Sequence, residues 1–291
     1  MQEILERYKS IFSKQLNDYL KKERCDIQPI FDAVKYGIEN GGKRIRPALC
    51  YMASDFCGKD EDFVALTAVG IEMIHSYSLV HDDLPCMDND SLRRGKPTLH
   101  VVYGEGMAVL SGDALLNMAF ETMLADNNFD ENALKSVRYI AKNSGINGMI
   151  GGQCIDLSNE DKSDYSLDEV MRLNRLKTSC LLKSALVGSL IKCGGTSNEI
   201  LDMENFATKL GEIFQIVDDI LDKTSSSEVL GKETNQDRAN GKKTVVDILG
   251  LEESRKYIAK LEASAISDIS KYGARADKLI ALCKYLTQRL Y

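Results

Sequence analysis

Proline is scarce in this 291-residue chain, and all four prolines (Pro29, Pro47, Pro85 and Pro97) fall in its first third. Everything after Pro97 can therefore run through long helices without a proline break. No CxxC pair occurs among the eight cysteines (Cys25, Cys50, Cys57, Cys86, Cys154, Cys180, Cys193, Cys283). Their scatter argues against zinc or redox work and for reduced thiols, most of them buried. No apolar run approaches the ~18 residues of a membrane span, and the opening MQEILERYKS has no signal-peptide core. The expectation is a cytoplasmic protein without a membrane span. Positive charge is in deficit, 37 Lys and Arg against 44 Asp and Glu, for a formal balance of −7. Such a chain is a poor coat for nucleic acid or an anionic membrane. A Ser-His-Asp or Cys-His arrangement for nucleophilic catalysis is also missing.

The composition, 44% hydrophobic and 28% charged, is that of a globular chain able to bury a core. Apolar residues at Ile4, Leu5, Tyr8, Ile11, Phe12, Leu16, Tyr19 and Leu20 show the three-and-four spacing of one helix face. The same pattern predicts helices near 27–40, 44–57, 61–84, 105–126, 130–145, 167–192, 199–223, 251–270 and 274–289. Strand-like alternation is nearly absent, so the fold class is all-α. The breaks, at Gly41-Gly42, 85–104, 157–166, Gly194-Gly195, the Ser225 to Ser227 run and Gly250, are too short for a domain linker. One domain over residues 1–291 is expected.

Two of these helices end in acid. The segment 61–84 is almost wholly apolar from Phe63 to Val80 and closes on Asp82 and Asp83; 206–222 closes on Asp218, Asp219 and Asp222. A helix apolar nearly all round belongs in the middle of a bundle, which places both clusters at the ends of central helices. At about 100° per residue, Asp218, Asp219, Asp222 and Gln215 share one arc of about 100°. Three carboxylates on one face repel unless a cation joins them. In DDLPCMDND, Asp88 would lie about 120° from Asp82 on an unbroken helix, so the break at Pro85 is needed to turn it back. Oxygen-only ligands with open positions suit Mg²⁺ shared between carboxylates and a phosphate ligand. Basic residues match the acids: Arg93, Arg94 and Lys96 follow the first cluster, and GGKRIRP sets Lys43, Arg44 and Arg46 at a glycine-opened helix start that favours an anion. Two acid and two basic clusters together point to metal-assisted diphosphate chemistry.

Taken in order, GGKRIRP (41–47), HDDLPCMDNDSLRRGKPTLH (81–100), GGQCIDL (151–157), the Lys-Thr of NRLKTSCLL (174–182) and FQIVDDILD (214–222) resemble the short-chain trans-polyprenyl diphosphate synthases. The likeness is strongest to the bacterial farnesyl diphosphate synthase type. It implies a bundle of about ten helices around a central apolar cavity, a homodimer, and condensation of isopentenyl diphosphate with dimethylallyl or geranyl diphosphate. It also implies Mg²⁺, about three ions bound with substrate diphosphate.

Carried over residue by residue, Asp82 and Asp88, with Asp83 nearby, would hold Mg²⁺ from one side. Asp218, supported by Asp219 and Asp222, would hold it from the other. Arg93, Lys177, Lys232 and Lys242 would bind the allylic diphosphate, Lys243 being the alternative to Lys242. Lys43, Arg46, His75 and Arg94 would hold isopentenyl diphosphate, while Thr178 and Gln215 would offer oxygen dipoles to the forming carbocation. The departing diphosphate would take the last proton. Tyr77, five residues before Asp82, occupies the position that limits product length in the family, and its bulk suggests fifteen carbons; on ideal geometry Ser78 points more directly down that wall. His81 and His100 read as structural, and Gln153 and Asp156 as either site-ordering or structural. A geranyl or geranylgeranyl diphosphate synthase remains an alternative, as does a helical partner subunit of a heteromeric synthase. A terpene cyclase would lack the second acid motif and GGKRIRP.

Overall fold

The computed structural model describes residues 1–23, 25–127, 129–158, 164–224 and 243–288. Lys232 and Lys242 lie outside them. Among the described residues the chain is all-α, with eleven helices of ten residues or more and one two-residue hairpin. The helices are α1 (Gln2–Lys22), α2 (Gln28–Glu39), α3 (Ile45–Phe56), α4 (Ala65–Asp82), α5 (Leu99–Tyr103), α6 (Glu105–Leu124), α7 (Glu131–Ser144), α8 (Met149–Ser158), α9 (167–192), α10 (Ser197–Thr224), α11 (Val245–Leu249), α12 (Leu251–Ile269) and α13 (Asp277–Gln288). Local chemistry starts several of them. Asp130 caps α7 by accepting from the Ala133 amide at 2.8 Å, and Ser166 with Glu169 forms a reciprocal capping box at α9.

One contiguous apolar cluster contains residues from every long helix, from Leu5 on α1 to Leu286 on α13. α4 supplies its middle: Ala68, Val69, Ile71, Met73 and Ile74 are all fully buried, as expected of a helix apolar all round. Glu61–Asp82 is long and apolar enough by composition to cross a membrane, although polar residues interrupt it too often for an unbroken apolar run. Most of its apolar window is buried inside the protein, which is the behaviour of a core helix.

Three departures from the sequence reading shape the site. α8 was not expected, because Gly151 and Gly152 lower its intrinsic helix preference; its packing against α9 supplies the stability that propensity does not. α9 runs over the expected 167–192 but contains two π-helical turns, Arg175–Ser179 and Ser184–Gly188. Each admits one extra residue into a turn and so rotates the remainder of the helix about its axis. Between α4 and α5, Leu92–Arg93 pairs antiparallel with Lys96–Pro97, and the tight turn at Arg94 and Gly95 has φ of 55° and 75°. Positive φ at both turn residues matches the right-handed twist of a two-residue hairpin.

Candidate active site

α4 ends at Asp82, and the next turns of the chain fold back on it. The Asp83 amide still donates to the Leu79 carbonyl at 3.1 Å, and the Asp88 amide donates to the Asp82 carbonyl at 2.9 Å. The break at Pro85 thus returns Asp88 to the pair, as the helical arithmetic required. The 92–97 hairpin then brings Arg93 against the same cluster: its Nε donates to Asp83 Oδ1 at 2.6 Å, and its second terminal nitrogen lies 2.5 Å from that oxygen and 3.3 Å from Asp90 Oδ2. Asp83 and Arg93 therefore neutralise one another, while Asp82 and Asp88 stand beside them.

The turn that aims Arg93 at the acids aims Arg94 the other way. Its guanidinium donates to the Gly41 carbonyl at 2.6 Å and lies where a side chain on Gly42 would be, 2.5 Å from an ideal Cβ. The glycine pair of GGKRIRP is thus the seat for an arginine supplied from about fifty residues downstream. Arg44, at φ 50°, turns into the core, donating to Glu72 Oε1 at 2.5 Å and to the Ile38 carbonyl at 2.7 Å. Arg46 faces the site instead, and its buried Nε has no hydrogen-bond partner among the described residues. Burial, together with Arg94, pushes the Arg46 guanidinium down to about 10, against the opposing influence of Glu72 and Asp218. His75 is held well below its ordinary range by burial and then by Arg46, Arg94, Arg44 and Arg93. A neutral imidazole among arginines with one unsatisfied buried N–H is an arrangement that an anion completes. Lys43 lies exposed at its edge.

Hydrogen bonds carried on α8 and α9 link the first acid cluster to the second. Gln153 on α8 donates to Asp82 Oδ1. On the same helix Asp156 accepts from Lys177 Nζ at 2.6 Å, and the α8 backbone approaches α9 so closely that a Cβ on Gly152 would lie 2.4 Å from the Lys177 amide nitrogen. Lys177 and its neighbour Thr178 sit in the first π-helical turn. Thr178 Oγ1 donates to Gln215 Oε1 at 2.9 Å, and Gln215 Nε2 donates to Asp219 Oδ1 at 3.0 Å on α10. Two adjacent residues thus serve different neighbours, Lys177 turning to α8 and Thr178 to α10. The arc shared by the second cluster is graded in depth: Asp219 is buried, Asp218 half-buried and Asp222 exposed.

Burial pushes the Asp82 carboxyl up to about 6, with Asp88 and Asp83 adding to the rise and Lys177 and Arg93 opposing it. Crowded, partly desolvated carboxylates of this kind are completed by a cation, and their all-oxygen donors fit Mg²⁺. Among the described residues no group of three or more His, Cys, Asp or Glu side chains is placed to hold a metal ion by itself. Tyr77 is 6% exposed, and its ring meets that of His81 edge-on at 5.9 Å. Ser78 turns its hydroxyl back to the His75 carbonyl at 2.9 Å. His81 engages the Val109 carbonyl at 3.0 Å and His100 engages Thr98 Oγ1 at 3.1 Å, in keeping with structural roles. Sequence reasoning missed Glu72, the counterion of Arg44; an acid inside an otherwise apolar helix is the signal that would have found it.

Two acid-ended central helices, a cationic seat and a helical bundle define an all-α prenyltransferase. The chain matches the polyprenyl synthetase family over residues 27–281 and belongs to it. It is 42% identical over 269 residues to geranylgeranyl pyrophosphate synthase 4 of Arabidopsis thaliana, covering 90% of this chain and 72% of that one. Among solved structures, a geranyltransferase from Legionella pneumophila superposes with a TM-score of 0.86 at 28% identity over 99% of this chain and 97% of the other. An FPP/GFPP synthase from Zymomonas mobilis gives 0.84 at 33% identity, covering 99% and 97%. The protein is a short-chain prenyltransferase of that family.

Proposed function

We propose that the chain condenses isopentenyl diphosphate with dimethylallyl and then geranyl diphosphate, in a Mg²⁺-dependent reaction that ends at farnesyl diphosphate. The observation that carries this reading is the pairing of two carboxylate clusters with a separate cationic seat, one place for each of two diphosphates. Asp82 and Asp88 from one side and Asp218 from the other would hold Mg²⁺, with Asp83, Asp219 and Asp222 behind them. Bound there, Mg²⁺ supplies the charge stabilisation that makes an allylic diphosphate a leaving group. Lys177 and Arg93 add positive charge on that side; Lys232 and Lys242, which the family resemblance also implies, lie outside the described residues. Lys43, Arg46, Arg94 and the neutral His75 hold the isopentenyl diphosphate, whose charge the buried Arg46 N–H can meet directly. Because Thr178 donates its hydroxyl proton to Gln215, the Thr178 oxygen keeps lone pairs to face a developing carbocation. What remains is positioning and exclusion of water, for which no nucleophilic side chain is needed.

The farnesyl product rests on Tyr77. A second reading, a twenty-carbon product, is favoured by the curated relatives, which include geranylgeranyl pyrophosphate synthases at 41–43% identity. Incubation with isopentenyl and geranyl diphosphates, with and without Mg²⁺, followed by chromatographic sizing, separates the readings. Fifteen-carbon product only with Mg²⁺ is expected; a twenty-carbon product overturns the farnesyl assignment, and no turnover under any metal condition favours a partner subunit. Tyr77→Ala should lengthen the product, and unchanged fifteen-carbon output counts against its role. The exposed apolar residues Val101, Val102, Val109 and Leu110 on α5 and α6 support a homodimer through that face, to be tested by light scattering.

A further inference from the structure

The ring of His81, at the end of α4, lies in a notch on α6. A Cβ on Gly112 would stand 2.0 Å from His81 Nε2 and 2.3 Å from its Cδ2, so the imidazole fills the space a side chain at 112 would need. In that notch Nε2 is 3.0 Å from the Val109 carbonyl. Only a protonated Nε2 can donate to it, which places the neutral ring's proton on that nitrogen. The exposed Asp113 comes no closer to Nε2 than 4.0 Å. Held this way, the imidazole meets the buried Tyr77 ring edge-on, with centroids 5.9 Å apart and planes at 82°. Tyr77 and His81 are four residues apart and share one face of α4, and Gly70 falls on the same arc of about 40°. That face is pressed against α6 on both sides of Tyr77. A Cβ on Gly70 would lie 2.8 Å from the Ala119 carbonyl oxygen, while His81 occupies the Gly112 notch.

We propose that His81, seated in the Gly112 notch, is a positioning residue that holds the Tyr77 ring in place and so sets where chain elongation stops. The inference rests on the reading of Tyr77 as the limit on product length. Two movements could make room at Tyr77, a shift of the α4 backbone or a turn of the ring to another rotamer. The backbone has little freedom, because α4 and α6 are in close contact on either side of Tyr77. The ring is the softer element, and the edge-to-face contact with His81 is what opposes its turning. His81 can resist because it is itself held, by the Val109 carbonyl and by the walls of the notch. Any side chain at 112 would expel the imidazole and leave Tyr77 unsupported. Gly112 therefore acts on product length through His81, without touching Tyr77 or the diphosphate residues.

The test is chromatographic sizing of the products that the full-length protein and its variants make from isopentenyl and geranyl diphosphates with Mg²⁺. His81→Ala should raise the ratio of twenty- to fifteen-carbon product about 2- to 10-fold, the factor that an edge-to-face aromatic pair is worth. His81→Asn removes the ring but keeps an N–H donor, and should shift the ratio as His81→Ala does. Gly112→Ala should shift it too, and the double variant His81→Ala, Gly112→Ala no further than His81→Ala alone, since the notch is without effect once the ring is gone. A product ratio does not depend on how much enzyme is folded, so lost stability by itself leaves it unmoved. Tyr77→Ala is run alongside. If it lengthens the product while both His81 variants keep the wild-type ratio, the proposal is overturned and the reading of Tyr77 stands. Unchanged output from Tyr77→Ala removes both. Independent, additive shifts in the double variant would overturn the route from Gly112 through His81.

Discussion

Gly152 is where the geometry of the site can be challenged without altering a single functional group. A Cβ placed there would lie 2.4 Å from the Lys177 amide nitrogen, 2.7 Å from its Cα and 2.9 Å from the Leu176 carbonyl carbon. These are backbone atoms, so no rotamer change relieves the overlap. To reach an ordinary contact α8 and α9 must part by about 1 Å, and overpacking of this kind costs about 1–3 kcal/mol. Alanine's better helix propensity returns about 1 kcal/mol, leaving Gly152→Ala destabilised by roughly 0–2 kcal/mol. The larger effect falls on activity. Gln153, bound to Asp82, and Asp156, bound to Lys177, move with α8, and a 1 Å misplacement of positioned groups can lower turnover by about 10²-fold. Gly106 on α6 is the control: it has helical backbone and nothing within 4 Å of an added Cβ, so Gly106→Ala should gain about 0.5–1 kcal/mol at unchanged turnover. Denaturant unfolding and steady-state kinetics on both variants decide the matter. Wild-type stability and turnover in Gly152→Ala would refute the claim that α8 is pressed onto α9 to position Lys177.

Glu72→Gln should cost about 3–5 kcal/mol in denaturant unfolding, because it strands the Arg44 guanidinium in a buried setting; a loss under 1 kcal/mol would mean that solvent reaches the pair. Asp82→Asn should abolish turnover measured with Mg²⁺, yet raise the stability of the metal-free protein at pH 7. The carboxyl's folded value, about 6, lies above its usual one, so its penalty of about 2–3 kcal/mol is full above pH 6 and vanishes as pH falls below ~4. Stability of wild type should therefore rise relative to Asp82→Asn as pH drops through that window, and parallel pH profiles would contradict the assignment. His75 has the opposite linkage: depressed in the fold, it favours unfolding as pH falls below about 6.5. Its imidazole should stay neutral from pH 7.5 to 5.5 by nitrogen-detected NMR, and a midpoint near 6.5 would refute its cationic surroundings.

Most of the long helices are legible in the chain because each has one apolar face with regular spacing, and those faces meet in one core. α8 is the exception, and the reason is physical: Gly151 and Gly152 weaken the local preference, but the missing Cβ at 152 is what lets α8 lie against α9. The feature that hides the helix from propensity is the one that makes it useful. The π-helical turns of α9 are hidden differently. An extra residue in a turn appears in sequence only as a slip in phase, and around the second turn Leu181, Leu182, Ala185, Leu186 and Val187 are all buried, as is Ser184, which donates to the Cys180 carbonyl at 2.8 Å, so no exposed residue marks the slip. Nor do the partners reveal the first turn: on a regular helix adjacent residues already point about 100° apart, so Lys177 reaching α8 while Thr178 reaches α10 marks no slip.

The charged residues show where pattern and depth part company. Helical arithmetic gathers Asp218, Asp219 and Asp222 on one arc, yet it cannot distinguish Asp219, bound by Gln215, from Asp222, left at the surface. Depth depends on what packs against α10, and both α12 and the first π-helical turn of α9 lie against it. Likewise Arg93 and Arg94 are neighbours in the sequence with opposite duties. A hairpin turn with two positive φ values sends one to Asp83 and the other to the glycine seat of GGKRIRP. The net charge of −7 first argued against anionic ligands. Its distribution reverses that inference for small ones. The aspartates concentrate where a cation would turn repulsion into affinity, and the arginines concentrate a few residues away, so the same chain can repel a polyanion and still receive two diphosphates.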